Sequence, residues 1–402
     1  MFNNKVTKFP KVKLVAVAKD EAAYLPEWVH HHLYLGFDAI DIHINRTTDN
    51  SYAILQKISN KFPNVKAKNG DWVDLCPENA RQHIQQIIYA QSLNEVRESN
   101  EFDYLMFIDI DEFWTPKNLK TKIGDIIQDL KRPDSISFQW FNEQGLEEDF
   151  SSIGREILGS RHKLVKSVFN IAAEIKGMSL HLPQMTLANK LLVDGKKFKP
   201  AVKHHEQLHP SLSEMRSCMI VHRMFRSPME YVSLLNRGRP SKKLAIKTNR
   251  FGYNKESSEI ELYQLDSKAY ENYQLSFSGF LEKIAVSAEI KIAQKFVTDR
   301  YYKTLDAIRD VPIVNAKEVI RAFGNCNLET RNMLCKKYGS QHFIGNLKTP
   351  ALLKDLAMAF EAVDIKVSYD LIKRARELHP TGPQIKQLFD QYLAKLNELP
   401  HD

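Results

Sequence analysis

The sequence YLMFIDIDEFW, residues Tyr104–Trp114, decides the fold. Its apolar beginning has the length and composition of a strand that is buried on both faces of a parallel sheet. Three carboxylates, Asp109, Asp111 and Glu112, then follow within four residues. Clustered acids at the end of a buried strand repel one another and lose hydration, and a divalent cation shared with a phosphate ligand would relieve both effects. The alternative is a solvated turn after the strand.

Strand and helix patterns alternate around this stretch, from residue 11 to about residue 140. The predicted strands are Lys13–Ala18, Ala39–Ile44, Val65–Trp72, the Tyr104 strand and Ser135–Trp140. The predicted helices between them run from Asp20 to Gly36, over Tyr52–Phe62, over Asn79–Arg97 and over Leu119–Leu130. This alternation predicts a mostly parallel sheet with helices on both faces. Ligands of such sheets bind at the carboxyl ends of the strands, where the three acids lie.

The last 150 residues or so carry helical patterns instead. The predicted helices there are Leu281–Tyr302, Leu352–Val363, Ser368–Leu378 and Pro383–Leu399. The last two form a hairpin across His379–Pro383, since Pro383 suits the first turn of a helix. We therefore predict an α/β domain over residues 11–250 and a helical domain over residues 255–402. The helical domain would serve for homodimerisation, acceptor presentation or membrane docking.

Composition limits the functional classes. With 43% hydrophobic and 26% charged residues the chain is typical of a globular protein, and its net charge of +8 favours phosphate-bearing ligands, acidic membrane surfaces or nucleic acid. The basic residues lack interleaved aromatic residues, and no nucleic-acid motif is present, so we predict no nucleic-acid partner. Four scattered cysteines and the lack of a signal core or spanning segment predict a cytoplasmic protein with free thiols, at most peripheral at the inner membrane face.

An Asp-x-Asp motif after a fourth strand fits three kinds of enzyme. In a nucleotide-sugar transferase the acids hold a metal that bridges a diphosphate. A phosphatase of the DxDx(T/V) class usually carries its motif on the first strand, and here Phe113 stands at the Thr or Val position. A polymerase-like two-metal site needs a further distant acid, which the sequence alone does not identify. A non-enzyme that binds partners through the helical tail is the remaining alternative.

Three blocks of the chain resemble the family 2-like and family 92 glycosyltransferases. The Lys19–Glu21 segment, with Leu25–Val29 and Leu35–Asp38, is similar to their opening, and Phe107–Phe113 is similar to their metal-binding DxD strand. Val221–Tyr231 with Arg237 and Gly238 resembles their H-Y-x-x-K/R-S-x-E-E-F…R-G signature. The blocks occur in the family's order over residues 11 to about 250.

The resemblance implies a GT-A fold, which is a Rossmann-like α/β fold with a mostly parallel sheet. It also implies a hexosyltransferase-like, metal-dependent and inverting enzyme of polysaccharide biosynthesis. The donor would be a UDP-sugar, used with Mn²⁺ or Mg²⁺. The acceptor would be a glycan or a lipid-linked saccharide at the cytosolic side.

Particular residues receive roles from the same resemblance. Asp109 and Asp111 would bind the metal, Asp111 more directly, and His222 would be the third protein ligand. Imidazole suits Mn²⁺, while Mg²⁺ prefers oxygen. The alternative for His222 is a core histidine.

Further residues would bind the nucleotide. The resemblance places Lys19, Glu21 and Asp49 at the nucleoside, where Asp49 would accept a hydrogen bond from uracil N3–H or a ribose hydroxyl. The alternative for Asp49 is a turn former. Asp20 departs from the family's Asn, which leaves the base contacts open. The diphosphate would be neutralised by Arg226, Arg237 and Lys242, unless these belong to a solvated basic face.

An inverting transfer needs a general base. The segment Phe138–Gly145 is similar to the family's acceptor-side loop, and within it Glu143 is the candidate base. Its competitors are Glu147, Glu148 and Asp149. Arg223 stands where the family has Tyr, which leaves the donor-sugar pocket open. One predicted helix face, where the family places Gln and Tyr, carries Arg81, Gln85 and Tyr89, with a surface stripe as the alternative.

Overall fold

The structure of the chain is a computed structural model that describes residues 9–186, 188–202, 204–238, 246–254 and 259–398. In chain order the strands are β1 Val12–Ala18, β2 Ala39–Ile44, β3 Val65–Asn69, β4 Tyr104–Phe107, β5 Glu112–Pro116, β6 Ser135–Glu143, β7 Glu156–Asn170, β8 Ile175–Gly177, β9 Gln184–Met185, β10 Lys190–Leu192, β11 Pro200–Ala201, β12 His204–Leu208, β13 Cys218–His222 and β14 Glu261–Gln264. The helices are α1 Leu25–Tyr34, α2 Ser51–Lys61, α3 Glu78–Arg81, α4 Ile84–Ser99, α5 Ile123–Asp129, α6 Pro228–Leu235, α7 Ser267–Ile284, α8 Ser287–Arg309, α9 Ala316–Ala322, α10 Leu328–Tyr338, α11 Gln341–Asn346, α12 Pro350–Phe360, α13 Ile365–Leu378 and α14 Pro383–Asn397.

These elements form two compact units that interleave along the chain. The first unit comprises residues 1–145, 150–224 and 259–296, and the second comprises residues 146–149, 225–258 and 297–402. The chain thus leaves the first unit after β13 and returns to it for β14 and α7. The predicted division into domains over 11–250 and 255–402 stays a prediction.

The first unit is built on one curled sheet with the strand order β3-β2-β1-β4-β7-β6-β13-β5. The strands from β3 to β4 are parallel, and β1 pairs with β4 from Val12↔Tyr104 to Val15↔Phe107. Beyond β4 the sheet is mixed, because β7 is antiparallel to both of its neighbours while β13 is parallel to β6. Every residue of β2 and β4 is buried, as a strand covered by helices on both faces requires. The predicted α/β class with flanking helices and a helical C-terminal region is confirmed.

Two of the predicted helices are wrong as single helices, because the structure divides each of them into two. The predicted helix Asn79–Arg97 is divided into α3 and α4, since the amide of His83 bonds to the carbonyl of Ala80, a tight turn that does not continue the helical ladder. The predicted helix Leu281–Tyr302 contains the end of α7 and the start of α8. Ala285 lies between them in the left-handed conformation, with φ of 50°. Buried side chains continue across this break, so periodicity alone did not reveal it.

Helix α1 carries three consecutive buried histidines, His30, His31 and His32. The Nδ1–H of His32 donates to the Trp28 carbonyl at 2.8 Å, and its Nε2 accepts from the Trp114 amide at 3.3 Å. His31 bonds through Nε2 to the Trp114 carbonyl at 3.0 Å. Burial lowers the pKa of His32 to about 3 and that of His30 to about 4. The three imidazoles are therefore neutral core residues at pH 7.

The second unit contains α6, most of α8 and the helices α9 to α14. The predicted hairpin of the last two helices is confirmed, with Pro383 in the first turn of α14. Asp364 caps α13 by accepting from the amides of Lys366 and Val367. No helix among the described residues is both long enough and apolar enough to span a bilayer.

Candidate functional site

The acidic turn, Asp109–Glu112, joins β4 to β5 and is held through its backbone. The indole N–H of Trp28 donates to the carbonyls of Asp109 at 3.0 Å and Glu112 at 2.9 Å. The Glu112 amide donates back to the Asp109 carbonyl, and the Arg223 amide donates to the Asp111 carbonyl at 2.8 Å. The turn therefore has a fixed conformation, which determines where each carboxylate points.

Asp109 and Glu112 share one cation from the protein itself. The ammonium of Lys166 on β7 lies 3.3 Å from Asp109 Oδ2 and 3.3 Å from Glu112 Oε2. Burial acts to lower the pKa of Lys166, but the two carboxyl groups outweigh it and raise that pKa above its usual value. Burial raises the pKa of Glu112, against the opposing effect of Lys166. Gln85 donates to the other oxygen of Asp109, Oδ1, at 2.7 Å.

Asp111 points to a different neighbour, His222. Its Oδ2 lies 3.6 Å from His222 Nε2, and its side chain is 22% exposed. The other ring nitrogen of His222 lies 3.2 Å from Asn142 Oδ1. Because an amide oxygen only accepts, the proton is assigned to Nδ1 and the lone pair of Nε2 faces Asp111. Trp140 packs on the His222 ring, with 4.1 Å between the ring centroids.

This geometry follows from the pairing of β13 with its two neighbours. His222 is opposite Asn142 in the parallel pair with β6 and opposite Glu112 in the antiparallel pair with β5. The end of β13 thereby lies next to the acidic turn. The structure brings the predicted residues Asp111 and His222 together, although they come from distant parts of the chain.

The donor set suits a metal ion only in part. A carboxylate oxygen and an imidazole nitrogen that converge at 3.6 Å, with the second imidazole nitrogen hydrogen-bonded, are typical of two ligands of one Mn²⁺-like ion. Within the described ranges, no group of three or more His, Cys, Asp or Glu side chains is placed to hold a metal. Asp109, the third predicted ligand, is directed to Lys166 instead. Among the described residues, Asp111 and His222 are therefore the pair that could hold a metal ion, and oxygens of a bound substrate would have to supply the other ligands.

The loops after β1 and β2 meet at the same edge of the sheet. Asp20 has φ of 52°, a conformation that Asn and Asp adopt more readily than most residues, and its carboxylate accepts from the Thr48 amide at 2.7 Å. Asp49 accepts from the Ala22 amide at 2.8 Å and from the Ser51 hydroxyl at 2.6 Å. Asp49 therefore ties the two loops together, and its contact with a nucleoside stays a prediction.

Lys19 and Glu21 lie directly beside Asp20, at the carboxyl end of β1. Glu21 is buried, and its carbonyl accepts from the amides of Tyr24 and Leu25 at the start of α1. Lys19 is half-buried. Both residues lie at the sheet edge where a nucleotide was predicted, and their contacts with it stay predictions.

Glu143, the candidate base, ends β6 next to Asn142 rather than lying in a loop. Its carboxylate is 3% exposed and accepts from the Nε–H of Arg223 at 2.6 Å. Arg223 also lies 3.5 Å from Glu27 and donates to the Ser151 carbonyl. Arg223, which replaces the family's Tyr, thus joins three segments of the first unit. The competing acids Glu147, Glu148 and Asp149 belong to the second unit.

Two of the predicted diphosphate ligands, Arg226 and Arg237, also belong to the second unit. Arg226 precedes the N-cap of α6, Ser227, and has φ of 54°. Arg237 follows α6, with its amide bonded to the Leu234 carbonyl. Their role toward a diphosphate stays a prediction. Lys242, the third candidate, lies outside the described residues.

The predicted face of Arg81, Gln85 and Tyr89 is interrupted between α3 and α4, yet Gln85 reaches the acidic turn and Tyr89 reaches the strand before it. Gln85 bonds to Asp109, as described, and Tyr89 stacks on Phe107 of β4 at 4.0 Å between ring centroids. The Tyr89 side chain is fully buried, which excludes a surface stripe for that residue.

Sequence reasoning missed three residues of the site: Trp28, Asn142 and Lys166. Asn142 and Lys166 are in buried strands, where a polar residue must have a partner. No local pattern would have indicated Lys166, because the five consecutive residues Val165–Phe169 are all buried, without the alternation that marks one face of a strand. Trp28 lies in the Leu25–Val29 segment that carries the family resemblance, but no role of its own was predicted for it.

The comparisons with known proteins agree with this architecture. The model of glycosyltransferase family 92 matches residues 14–227, which is more than half of the 402 residues. The matched segment contains the whole acidic turn, Lys166, Asn142 and His222. No curated protein matches the chain.

Proposed function

Because the chain belongs to glycosyltransferase family 92, we propose that it transfers a hexose from a UDP-sugar to a glycan or lipid-linked saccharide, with inversion and with the help of Mn²⁺ or Mg²⁺. The observation that carries the proposal is the convergence of Asp111 and His222 at the carboxyl edge of the parallel strands. Ligands of open α/β sheets bind at this edge.

The nucleotide would lie along the ends of β1 and β2. The Asp20–Thr48 and Asp49–Ala22 hydrogen bonds give the two loops a fixed shape before a ligand arrives. Asp111 and His222 would hold the metal ion, which when bound would neutralise the departing diphosphate. The chain's own contribution is to keep both ligands in place, through the Asn142 hydrogen bond and the backbone bonds of the acidic turn.

The proposed reaction is a single displacement. An acceptor hydroxyl gives its proton to a base and forms a bond to the anomeric carbon. The bond from that carbon to the phosphate oxygen breaks, and its electron pair leaves with the nucleoside diphosphate. Glu143 is the proposed base, because it is the candidate carboxylate that lies in the same unit as Asp111 and His222.

Activity measurements on two ligand variants test the proposal. We expect UDP release in the presence of Mn²⁺ to fall by about 100-fold or more in Asp111→Asn and in His222→Gln. Asp129→Asn, an exposed acid at the end of α5, is the matched control and should keep the wild-type rate. A wild-type rate in Asp111→Asn would refute the role of the pair. A thermal-shift screen of nucleotide sugars, with and without Mn²⁺, identifies the donor.

The base is tested separately by the rate of the chemical step. If Glu143 accepts the proton, Glu143→Gln should lower kcat by about 100-fold or more. Glu147→Gln, a change at an acid close by in the sequence, is the control and should keep the wild-type kcat. A wild-type kcat in Glu143→Gln would leave only the ion pair with Arg223 as the function of this residue.

A further inference from the structure

Lys166 is 1% exposed, yet each of the three N–H groups of its ammonium has a hydrogen-bond acceptor within the protein. The three partners of Nζ are Asp109 Oδ2 at 3.3 Å, Glu112 Oε2 at 3.3 Å and the Leu180 carbonyl at 3.1 Å. An ammonium has three N–H donors, so none remains for a substrate. Lysine is almost never fully buried unless it is paired, and here its partners are two of the three acids of the acidic turn.

The acids of the turn thus divide between two partners, the Lys166 ammonium and the His222 imidazole. Both carboxylate oxygens of Asp109 have a partner in the protein, since Oδ1 accepts from Gln85 and Oδ2 faces Lys166. Asp111, two residues later, points toward His222. A divalent cation bound to Asp109 Oδ2 would lie beside the Lys166 ammonium, and like charges at that distance repel strongly where water is excluded.

We propose that Lys166 is a positioning residue that acts as the built-in counter-cation of the acidic turn, so that Asp111 with His222, and not Asp109, carries the catalytic metal. This inference rests on the proposed function and refines it. Lys166 occupies the place on Asp109 that a second or shared ion would need. It also balances the charge of Glu112, which is 0% exposed, and so keeps the turn folded whether or not a metal is bound.

The first test measures Mn²⁺ binding rather than activity. The concentration of free Mn²⁺ is followed by its EPR signal, in the presence of UDP, for the wild type, Asp109→Asn and Asp111→Asn. We expect the dissociation constant of Mn²⁺ to stay within about threefold in Asp109→Asn and to rise about tenfold or more in Asp111→Asn, because even groups behind a ligand cost 10- to 100-fold. Equal weakening in both variants would overturn the inference.

The second test releases Asp109 from its internal partner. Lys166→Met combined with Glu112→Gln removes one positive and one negative buried charge together, which protects the fold. Asp109, whose side chain is 33% exposed, then lacks its counter-ion. We expect Mn²⁺ to bind about threefold more tightly or better than in the wild type, since a nearby positive charge is gone. When Asp109→Asn is added to these two substitutions, the increase in Mn²⁺ affinity should disappear.

If Lys166 has a purely structural role, the affinity for Mn²⁺ should not increase in the double variant. Loss of packing alone would weaken Mn²⁺ binding or leave it unchanged in the double variant, and either result with a native circular-dichroism spectrum would overturn the inference. If the wild type itself binds no Mn²⁺ with UDP present, the metal of the proposed function is refuted, and that outcome differs from every result that concerns Lys166 alone.

Discussion

The buried histidines of α1 make the first unit sensitive to acid, and His32 allows the effect to be measured. Both of its ring nitrogens are engaged by the backbone, one as donor to Trp28 and one as acceptor from Trp114. A second proton, on Nε2, would face the amide N–H of Trp114, so that two donors would meet without an acceptor. The protonated form is therefore excluded from the core by geometry as well as by burial.

The magnitude follows from proton linkage. Burial lowers the pKa of His32 to about 3 in the folded state, whereas an unperturbed histidine titrates near about 6.5. Between these values the unfolded chain binds more protons than the folded one, so stability is full above pH 6.5 and falls as the pH decreases toward 3. Integration from pH 7 to pH 5 gives a loss of about 2 kcal/mol for this residue.

The assay is urea unfolding followed by tryptophan fluorescence. It reports the first unit, because that unit contains all four tryptophans, Trp28, Trp72, Trp114 and Trp140. His32→Gln retains a donor and an acceptor but does not titrate. We expect the wild type to lose about 2 kcal/mol more than His32→Gln between pH 7 and pH 5, because contributions from other groups cancel in the difference.

An exposed histidine provides the matched control. His83→Gln, in the same unit as His32, should show the wild-type pH dependence, since this side chain lies at the surface. The reasoning is refuted if His32→Gln and the wild type lose stability equally over the same pH range.

Three further predictions concern the sheet and its connections. Asn142→Leu removes the hydrogen bond to His222 and should weaken Mn²⁺ binding by about 10- to 100-fold in a calorimetric titration; an unchanged affinity would show that Asn142 does not orient the imidazole. Gly159→Ala would place a Cβ atom 2.2 Å from the Asn142 carbonyl oxygen, so urea unfolding should reveal a loss of about 2 kcal/mol or more, and wild-type stability would contradict that close approach. Ala285→Gly relieves the left-handed φ of 50° and should stabilise the protein by about 0.5–1 kcal/mol, whereas a lower melting temperature would argue against the break between α7 and α8.

The parallel half of the fold could be predicted from sequence because its signals are local. Each buried strand is a short apolar run, and each is followed by an amphipathic helix, which leaves few possible topologies. The mixed half could not be predicted in this way. Strand β7 runs from Glu156 to Asn170 with an irregular pattern of buried and exposed residues, because it pairs with different strands along its length.

For the same reason, the candidate site could be predicted from the sequence only in part. Asp111 lies beside a strong local pattern, and His222 was indicated by the family resemblance. Lys166 was not, because a lysine within a strand is typical of a solvent-facing position. Its burial depends on β7 lying antiparallel to β4, which is a long-range pairing without a local signal.

The return of the chain to the first unit limits how far this protein can be shortened. The family match ends at residue 227, yet β14 and α7 come later and complete the same unit. A fragment ending there would leave the start of β7 without its partner β14 and would remove Tyr273 and Ser276, the partners of His31 and His30. Such a fragment would expose an unpaired strand edge and invite aggregation. On the ribosome, too, the unit that holds the site stays incomplete until about residue 296 has emerged.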